Sequence, residues 1–541
     1  MEIPIELDHA GRQSLQCQLY EQFRRLILTG HLRPGAPVPA SRALAEQLSV
    51  SRNTVLLAYD RLVAEGYLQA REATGTYVSF ELPENCLAAM RRRGAGSAAS
   101  DVARGTPIPF QGQAQAVVNA HRLACDFWLG RPDPHSFPIK IWRRLVNKAL
   151  ARAGSRFTEY REPGGLAELR EAIAAHLGAA RGIRVTPEQV IVTAGSQEGL
   201  NLAARLLVRA GSRVATENPC YQGAAFLFES YGAELVPVPV DENGIDVDRL
   251  PRDGVALLYV TPSHQYPMGF TLSLERRIRL LDWACRCGAY IIEDDYDSDF
   301  RYRGSPLTAL AGLDKYGCVI YLGTFSKSIG AGLRIGYLVV PPALAGAART
   351  AKALLDNGHP WLEQAVMADF IRSGSYANHL RRIRHLYGER RDCLVEALRR
   401  HFGDVRLSGL DSGMHLAWHL AEDLPAASEL QELALAEDVG IYSLGSGAAY
   451  DFGVCAYSAR AVVLGYSSLN EGQIEEGIER IARAVARRQV NAAAPMRAET
   501  FAGTKTSEED GRGEDGPGPN YTARLIRRSP RMPRAPGSVI S

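Results

Sequence analysis

Lys327 stands in a turn of small polar residues, Thr324-Phe325-Ser326-Lys327-Ser328, just after the apolar run 318–322. Arg334 follows it, with Gly330 and Gly332 between them. A lysine held near a cation and partly withdrawn from water has a lowered pKa, so its neutral amine can attack an aldehyde. Arg334 and the Thr324 hydroxyl suit a phosphate, and the glycines let backbone approach it. Upstream, Glu293-Asp294-Asp295-Tyr296 closes another apolar run, 289–292. A carboxylate at a strand end can pair with a protonated ring nitrogen, and a tyrosine two residues on can hydrogen-bond a ring hydroxyl. Earlier still, Thr193-Ala194-Gly195-Ser196-Gln197 joins a strand pattern to a helix pattern, whose free N–H groups suit a phosphate. Tyr221, after Glu217-Asn218-Pro219, is placed to stack on a ring. Each piece alone is weak, because a lysine in a Gly/Ser turn is ordinarily a solvated surface residue and an acidic strand end is often a helix cap. Their order and spacing together carry the argument.

A second constellation lies near the N-terminus. Leu15–Leu28 has a helical apolar stripe formed by Leu15, Leu19, Phe23, Leu26 and Ile27. Ser41 is the expected N-cap of a helix over 42–48, and Ser51 of another over 53–65, with the tight turn Ser49-Val50 between them. Gly66 stops the second helix, and 67–70 and 76–80 read as two strands of a β-wing around Ala73-Thr74-Gly75. Helix, tight turn, helix and wing is a DNA-reading arrangement. Ser51, Arg52, Asn53 and Thr54 put short polar groups and a guanidinium on the first turn of the second helix, where base edges and phosphates are reached. Ser41 and Arg42 suit a phosphate, and Arg71 and Thr76 on the wing suit the minor groove or backbone. A small protein-interaction module would show the same apolar pattern.

The elements around these groups divide the 541 residues into several units. The expected units are a reader at 12–80, a flexible linker at 81–122, a large domain at 123–488 and a disordered tail at 489–541. In the large domain, the apolar runs 189–193, 213–216, 255–260, 289–293 and 318–322 alternate with helical patterns such as 197–208 and Leu274–Cys287. That predicts a mostly parallel sheet covered by helices, with a smaller α+β lobe over 376–488 ending in a helix at 471–488. Net charge is +2, and residues 1–80 hold eight arginines and eight acids, so any DNA contact depends on local placement of arginine. Nine scattered cysteines, with only Cys285 and Cys287 close together, indicate reduced thiols and no zinc site. The acidic first residues lack a signal-peptide pattern, and no apolar run is long enough for a membrane span, which points to a cytoplasmic protein.

The quoted residues resemble known families. Val38-Pro39-Ala40-Ser41-Arg42, Val50-Ser51-Arg52-Asn53-Thr54-Val55, Glu65-Gly66-Tyr67-Leu68 and Gly75-Thr76-Tyr77-Val78 are similar to GntR winged-helix repressors. The segments around Gly195, Tyr221, Asp294, Lys327 and Arg334 are similar to fold-type I aminotransferases. A chain with both resembles the MocR/GabR subfamily, as do Thr261-Pro262-Ser263-His264-Gln265-Tyr266-Pro267-Met268-Gly269 and the run 293–300. The resemblance implies a winged helix-turn-helix followed by a transferase-like domain binding pyridoxal 5'-phosphate. Lys327 would be its Schiff-base lysine, Asp294 the pyridine-nitrogen partner and Tyr296 the ring-hydroxyl partner. Tyr221 would be the stacking residue, and Gly195, Ser196, Gln197, Thr324 and Arg334 the phosphate cradle. It further implies a head-to-tail homodimer on operator DNA, with an amine effector or the cofactor itself sensed through an aldimine at Lys327.

Three positions depart from the pattern. Tyr266 stands where aminotransferases carry an asparagine beside the ring hydroxyl. Val463 stands where they carry an arginine for the substrate carboxylate, with Arg460 three residues away. A second effector-binding arginine of the subfamily is matched by Gly223. These departures favour a sensor over an active aminotransferase with an accessory N-terminal domain, which is the alternative, and they argue against a GABA-type effector.

Overall fold

The computed structural model describes residues 3–9, 13–71, 75–80, 82, 123–304, 307–446, 449–453 and 455–499. They form two units, one on either side of the segment 83–122. The linker expected at 81–122 thus lies outside the described residues, Leu82 excepted.

The first unit contains α1 (Leu15–Leu28), α2 (Ser41–Gln47), α3 (Arg52–Ala64) and the antiparallel pair β1 (Leu68–Arg71) and β2 (Gly75–Val78). Leu19, Phe23 and Ile27 recur at helical spacing on α1 and meet Leu44, Val55, Ala58 and Leu62 in one core. Burying a side chain of this size stabilises by about 1.5–3 kcal/mol. Ser51 caps α3 as expected, its Oγ accepting from the Thr54 N–H at 3.1 Å. Ser41 does not cap α2. It is the first helical residue, Ala40 takes the cap position, and the Ser41 Oγ accepts instead from the Arg52 Nε at 3.3 Å. Ile3 and Ile5 also enter this core, so the unit begins before residue 12. Two isolated apolar residues in an acidic stretch have no periodicity from which to read that. The wing turn at 72–74 lies outside the described residues.

The second unit opens with β3 (Cys125–Asp126), α4 (Ile139–Ala151) and α5 (Ala167–Arg181). Then follow β4 (Val190–Thr193), α6 (Ser196–Leu207), β5 (Arg213–Asn218), α7 (Gln222–Ser230), β6 (Glu234–Asp241), β7 (Gly244–Ile245), β8 (Val255–Val260), α8 (Leu274–Cys287), β9 (Tyr290–Asp295), β10 (Val319–Thr324) and β11 (Gly336–Val339). These strands form one sheet in the order β4-β11-β10-β9-β8-β5-β6-β7. β10, β9, β8, β5 and β6 run parallel, while β11 and the edge strand β7 run antiparallel to their neighbours. Strand alternation feeds two cores: Val190 and Val192 point to one, Ile191 to the other. A sheet buried on both faces is what the near-continuous apolar runs predicted.

The chain continues through α9 (Pro342–Asp356), α10 (Trp361–Arg372) and the 28-residue α11 (Ser375–Phe402). A smaller lobe follows, with β12 (Arg406–Ser408), β13 (His415–His419), α12 (Ala427–Ala436), β14 (Val439–Gly440), β15 (Tyr442–Ser443), β16 (Ala461–Gly465) and α13 (Glu471–Glu499). Its antiparallel sheet has the order β12-β13-β16-β15. α13 seats Ile474, Ile478, Ile481 and Val485 in the core. It runs on past Arg488, where the tail was expected to begin. The remainder of that tail, 500–541, lies outside the described residues.

Because Ser51 supplies the only side-chain cap on α3, Ser51→Ala should weaken its first turn by about 1 kcal/mol. Hydrogen exchange in the full chain should show faster exchange at Asn53 and Thr54, with the interior of α3 little changed.

Candidate functional site

The parallel strands end on one side of the sheet, and β9 ends there in three acids. Strand alternation separates them. Glu293 accepts the N–H groups of Leu310 at 2.8 Å and Ala311 at 2.9 Å. Asp295 pairs with the buried Arg181 at 2.7 Å. Asp294 faces the other way, into a cavity of about 240 Å³ that it shares with Ser196, Tyr221, Tyr296 and Lys327. Its Oδ2 accepts from the Tyr259 hydroxyl at 2.8 Å, while its Oδ1 is buried with no partner among the described residues. Burial pushes this carboxyl up to about 7, against the Tyr259 hydrogen bond. A buried carboxylate satisfied on one side only is costly, and a cationic N–H placed at Oδ1 removes the cost.

Lys327 enters from the turn after β10. Because β11 runs back antiparallel, this turn stays at the same sheet end as Asp294. Its Nζ donates to the Gly130 carbonyl at 3.0 Å. Burial lowers the amine's pKa, and Asp297 and Asp294 partly offset that. Gly130 has φ +65°, a backbone conformation that favours glycine, and a Cβ there would lie 2.5 Å from Nζ, so a side chain would displace the amine from the carbonyl. The segment carrying Gly130 is pinned to the smaller lobe: β3 pairs with β14, and the Gly465 N–H bonds the Phe127 carbonyl at 2.8 Å.

The expected phosphate residues cluster at the start of α6. Gly195 caps it at φ +84°, and a Cβ there would lie 2.8 Å from the Arg334 Nη2. Arg334 donates to the Ala194 carbonyl at 2.6 Å, and Ser196 opens onto the cavity. Thr324 adjoins through Gly336, which pairs with both Thr324 and Thr193. Two side chains are already engaged. The Thr324 Oγ1 accepts from the Ser326 N–H at 3.1 Å. The Gln197 amide donates one of its two N–H groups to the Gly223 carbonyl at 2.9 Å. Tyr221 packs edge-on to Tyr266, centroids 5.7 Å apart, and Tyr296 donates its hydroxyl to the His264 carbonyl at 3.0 Å.

The cavity also contains residues that sequence reasoning missed: Trp128, Gly130, Tyr259 and His415. Each sits outside any local motif, and Tyr259 had been absorbed into an apolar strand. Only Gly130 left a trace, as a glycine before Arg131-Pro132. Of the departing positions, Tyr266 lines the cavity. Val463 is wholly buried in β16, paired with Ala417 and Tyr442. Arg460 donates to the Leu424 carbonyl at 3.1 Å and lines a separate cavity.

In the first unit, Arg52 and Asn53 are exposed at the start of α3, and the Thr54 hydroxyl meets the Ser51 Oγ at 2.8 Å. Ser51 and Arg42 are exposed, while Ser41, half-buried, tethers Arg52. On the wing, Arg71 lies over the Tyr77 ring at 4.7 Å, and the Thr76 carbonyl accepts from the Val38 N–H.

Residues 15–78 match the family of bacterial regulatory proteins, gntR family, and residues 128–481 match aminotransferase class I and II. The chain is 37% identical to the probable rhizopine catabolism regulatory protein MocR of Rhizobium meliloti, over 91% of this chain and 98% of that protein. The chain belongs to the MocR/GabR type of GntR-family regulators. Another MocR/GabR-type relative, the pyridoxine biosynthesis transcriptional regulator PdxR of Corynebacterium glutamicum, is 36% identical over 76% of this chain and 85% of its own. The large domain of this MocR/GabR-type chain is similar to the kynurenine aminotransferase of Pyrococcus horikoshii, solved in complex with PMP. Its TM-score is 0.65 at 27% identity, covering 72% of this chain and 99% of that one. Among the described residues, no helix is long and apolar enough to cross a membrane.

The Asp294 carboxyl, with an ordinary value of 3.8, is raised to about 7 by folding. Its stabilising contribution in the cofactor-free chain is therefore full below about pH 4 and lost as pH rises through about 7. Asp294→Asn should remove that part of the decline in melting temperature. Glu217, also pushed up to about 7, keeps its own part. Melting curves of the two cofactor-free chains across this window provide the check.

Proposed function

We propose that this MocR/GabR-type chain is a DNA-binding transcription regulator that holds pyridoxal 5'-phosphate at Lys327 and responds to a small amine, or to the cofactor itself. The observation that carries the reading is the unmatched Oδ1 of Asp294, buried in the cavity that Lys327 enters. When bound, pyridoxal phosphate supplies an aldehyde that amines can capture and an electron-accepting ring.

In this reading Lys327 anchors the cofactor covalently, and burial, which lowers the amine's pKa, favours the neutral nucleophile. Asp294 holds a proton on the ring nitrogen, Tyr259 fixes the carboxylate's angle, and Tyr221 stacks on the ring. Tyr296, its proton given to the His264 carbonyl, offers a lone pair toward the ring hydroxyl. Gly195, Ser196 and Gln197 present backbone N–H groups to the phosphate, with Arg334 and Thr324 beside them. Ser51, Arg52, Asn53 and Thr54 read the major groove. Ser41 and Arg42 approach a phosphate, and Arg71 and Thr76 bring the wing to the backbone.

Regulation requires the effector to bind two arrangements of the protein unequally, since equal binding shifts nothing. A head-to-tail homodimer acting on cytoplasmic DNA is the assembly this reading adopts. The names of two relatives fit the two kinds of signal, one a catabolism regulator and the other a pyridoxine biosynthesis regulator. Val463 and Gly223 favour sensing over turnover, because neither supplies a cation for an amino-acid carboxylate.

Lys327→Ala should abolish the visible absorbance band of the cofactor-loaded chain. Retention of the band by Lys327→Ala after exhaustive dialysis would sink the anchoring role. Separately, Arg52→Ala should weaken operator binding in a gel-shift titration by about 1–3 kcal/mol, the value of a base or close phosphate contact. Unaltered binding would remove α3 from the reading role.

A further inference from the structure

The chemistry of the cavity bears on what the effector can be, and the inference rests on the amine-sensing reading above. An amino acid brings a carboxylate as well as an amine. Buried in a small cavity, that carboxylate needs a cation or several donors, or its desolvation prevents binding. Among the described residues lining the cavity, Lys327 is the only cationic side chain, and it is already committed to the cofactor. Val463 and Gly223 carry no charge. At Gly223 even a Cβ would lie 2.5 Å from the Tyr221 ring, so a longer side chain there requires that ring to move. Arg460 is held by the Leu424 carbonyl, and Arg131, in the same segment as Trp128 and Gly130, is paired with Asp126 at 3.3 Å. Asp294 in the wall and Asp297, which acts on Lys327 electrostatically, tilt the local field toward cations.

The groups that remain in the wall are hydrogen-bonding and uncharged. His415, on β13, donates its Nε2–H to the Pro267 carbonyl at 3.1 Å. That bond assigns the tautomer and leaves Nδ1 as an acceptor. Burial beside His264 and Lys327 also lowers the imidazole's pKa well below its ordinary value, which keeps the ring neutral. A neutral ring nitrogen with a lone pair repels a carboxylate and accepts a hydroxyl. Tyr266 and Gln222 add polar groups to the same cavity, and Trp128 gives it an apolar wall.

We infer that the effector is a primary amine carrying a hydroxyl group, and no carboxylate, at the end facing His415 and Tyr266. The amine is recognised through the cofactor at Lys327, and the hydroxyl by donation to the His415 Nδ1.

The test uses the full chain loaded with pyridoxal phosphate, titrated with matched pairs: 2-aminopropan-1-ol against alanine, 3-aminopropan-1-ol against β-alanine, and 4-aminobutan-1-ol against 4-aminobutyrate. Cofactor absorbance and melting temperature are both followed. In the best-responding pair, the amino alcohol should half-saturate at a concentration about tenfold lower or better, which corresponds to one net hydrogen bond. His415→Leu should raise that concentration about tenfold and leave the matched amino acid within about twofold. Tyr266→Phe, a one-atom change, should act in the same direction and serves if His415→Leu fails to load cofactor. An amino acid that matches or outcompetes its alcohol overturns the inference and leaves the sensor reading intact, as does equal weakening of both partners by His415→Leu. If no member of any pair changes either signal while the absorbance band is present, amine sensing itself falls. If the band never forms, the cofactor assignment falls.

Discussion

A carboxylate and an amine, both withdrawn from water at one end of a sheet, constrain the rest of the large unit. Asp294 and Lys327 are each expensive to bury alone. The expense is limited by placing them at the ends of adjacent parallel strands, Asp294 on β9 and Lys327 in the turn after β10, and by giving each a fixed partner, Tyr259 for Asp294 and the Gly130 carbonyl for Lys327. The acids on either side of Asp294 are disarmed by other means, Glu293 by backbone N–H groups and Asp295 by Arg181. Glu217 lies deeper, accepting from the Thr261 N–H at 3.1 Å and its hydroxyl at 2.7 Å. Of these four acids, Asp294 is the one that lines the cavity, and its Oδ1 is buried there with no partner among the described residues.

That constraint explains the glycines at the site. Gly130 lets the lysine amine reach a backbone oxygen, and Gly195 lets the guanidinium of Arg334 approach the start of α6. In both places the space a side chain would fill is taken by the polar end of a long side chain, the Lys327 amine at Gly130 and the Arg334 guanidinium at Gly195. The smaller lobe contributes through β3 and β14, because the segment that leads from β3 to Gly130 is held by pairing with residues more than 300 positions away. Loosening that pairing would loosen the lysine.

The first unit follows a different logic. Its charges balance, so attraction to DNA depends on where arginines are held and not on how many there are. Arg52 is tethered by Ser41 from the preceding helix, which restricts a long, exposed side chain. Ser51, capping α3, fixes the turn from which Arg52 and Asn53 project. A core of about the minimal size for independent folding suffices to hold these few groups.

Much of this was legible in the residues themselves. The strand periods gave β8 and the helix Leu274–Cys287 to the residue, since continuous apolar runs and 3.6-residue stripes are local signals. Lys327, Asp294, Tyr296, Tyr221 and Ser196 were singled out from short motifs, and all five line one cavity. Ser51 was read as a cap because capping is a matter of a few adjacent residues. What lay beyond the sequence is non-local. Ser41 was misread as a cap because its hydroxyl is taken by Arg52, a residue on another helix. Thr324 was expected to offer its hydroxyl to an anion, and that oxygen also accepts from the Ser326 N–H, while the Gln197 amide, on the helix start whose backbone N–H groups were expected to meet the phosphate, reaches the Gly223 carbonyl. Tyr259, Gly130 and His415 carry no motif. Their roles arise from strand pairing and side-chain direction, which bring a tyrosine from a hydrophobic strand, a glycine from a distant turn and a histidine from a second sheet to one point. Local chemistry determined which residues could act, and tertiary packing decided which atoms were left free to do so.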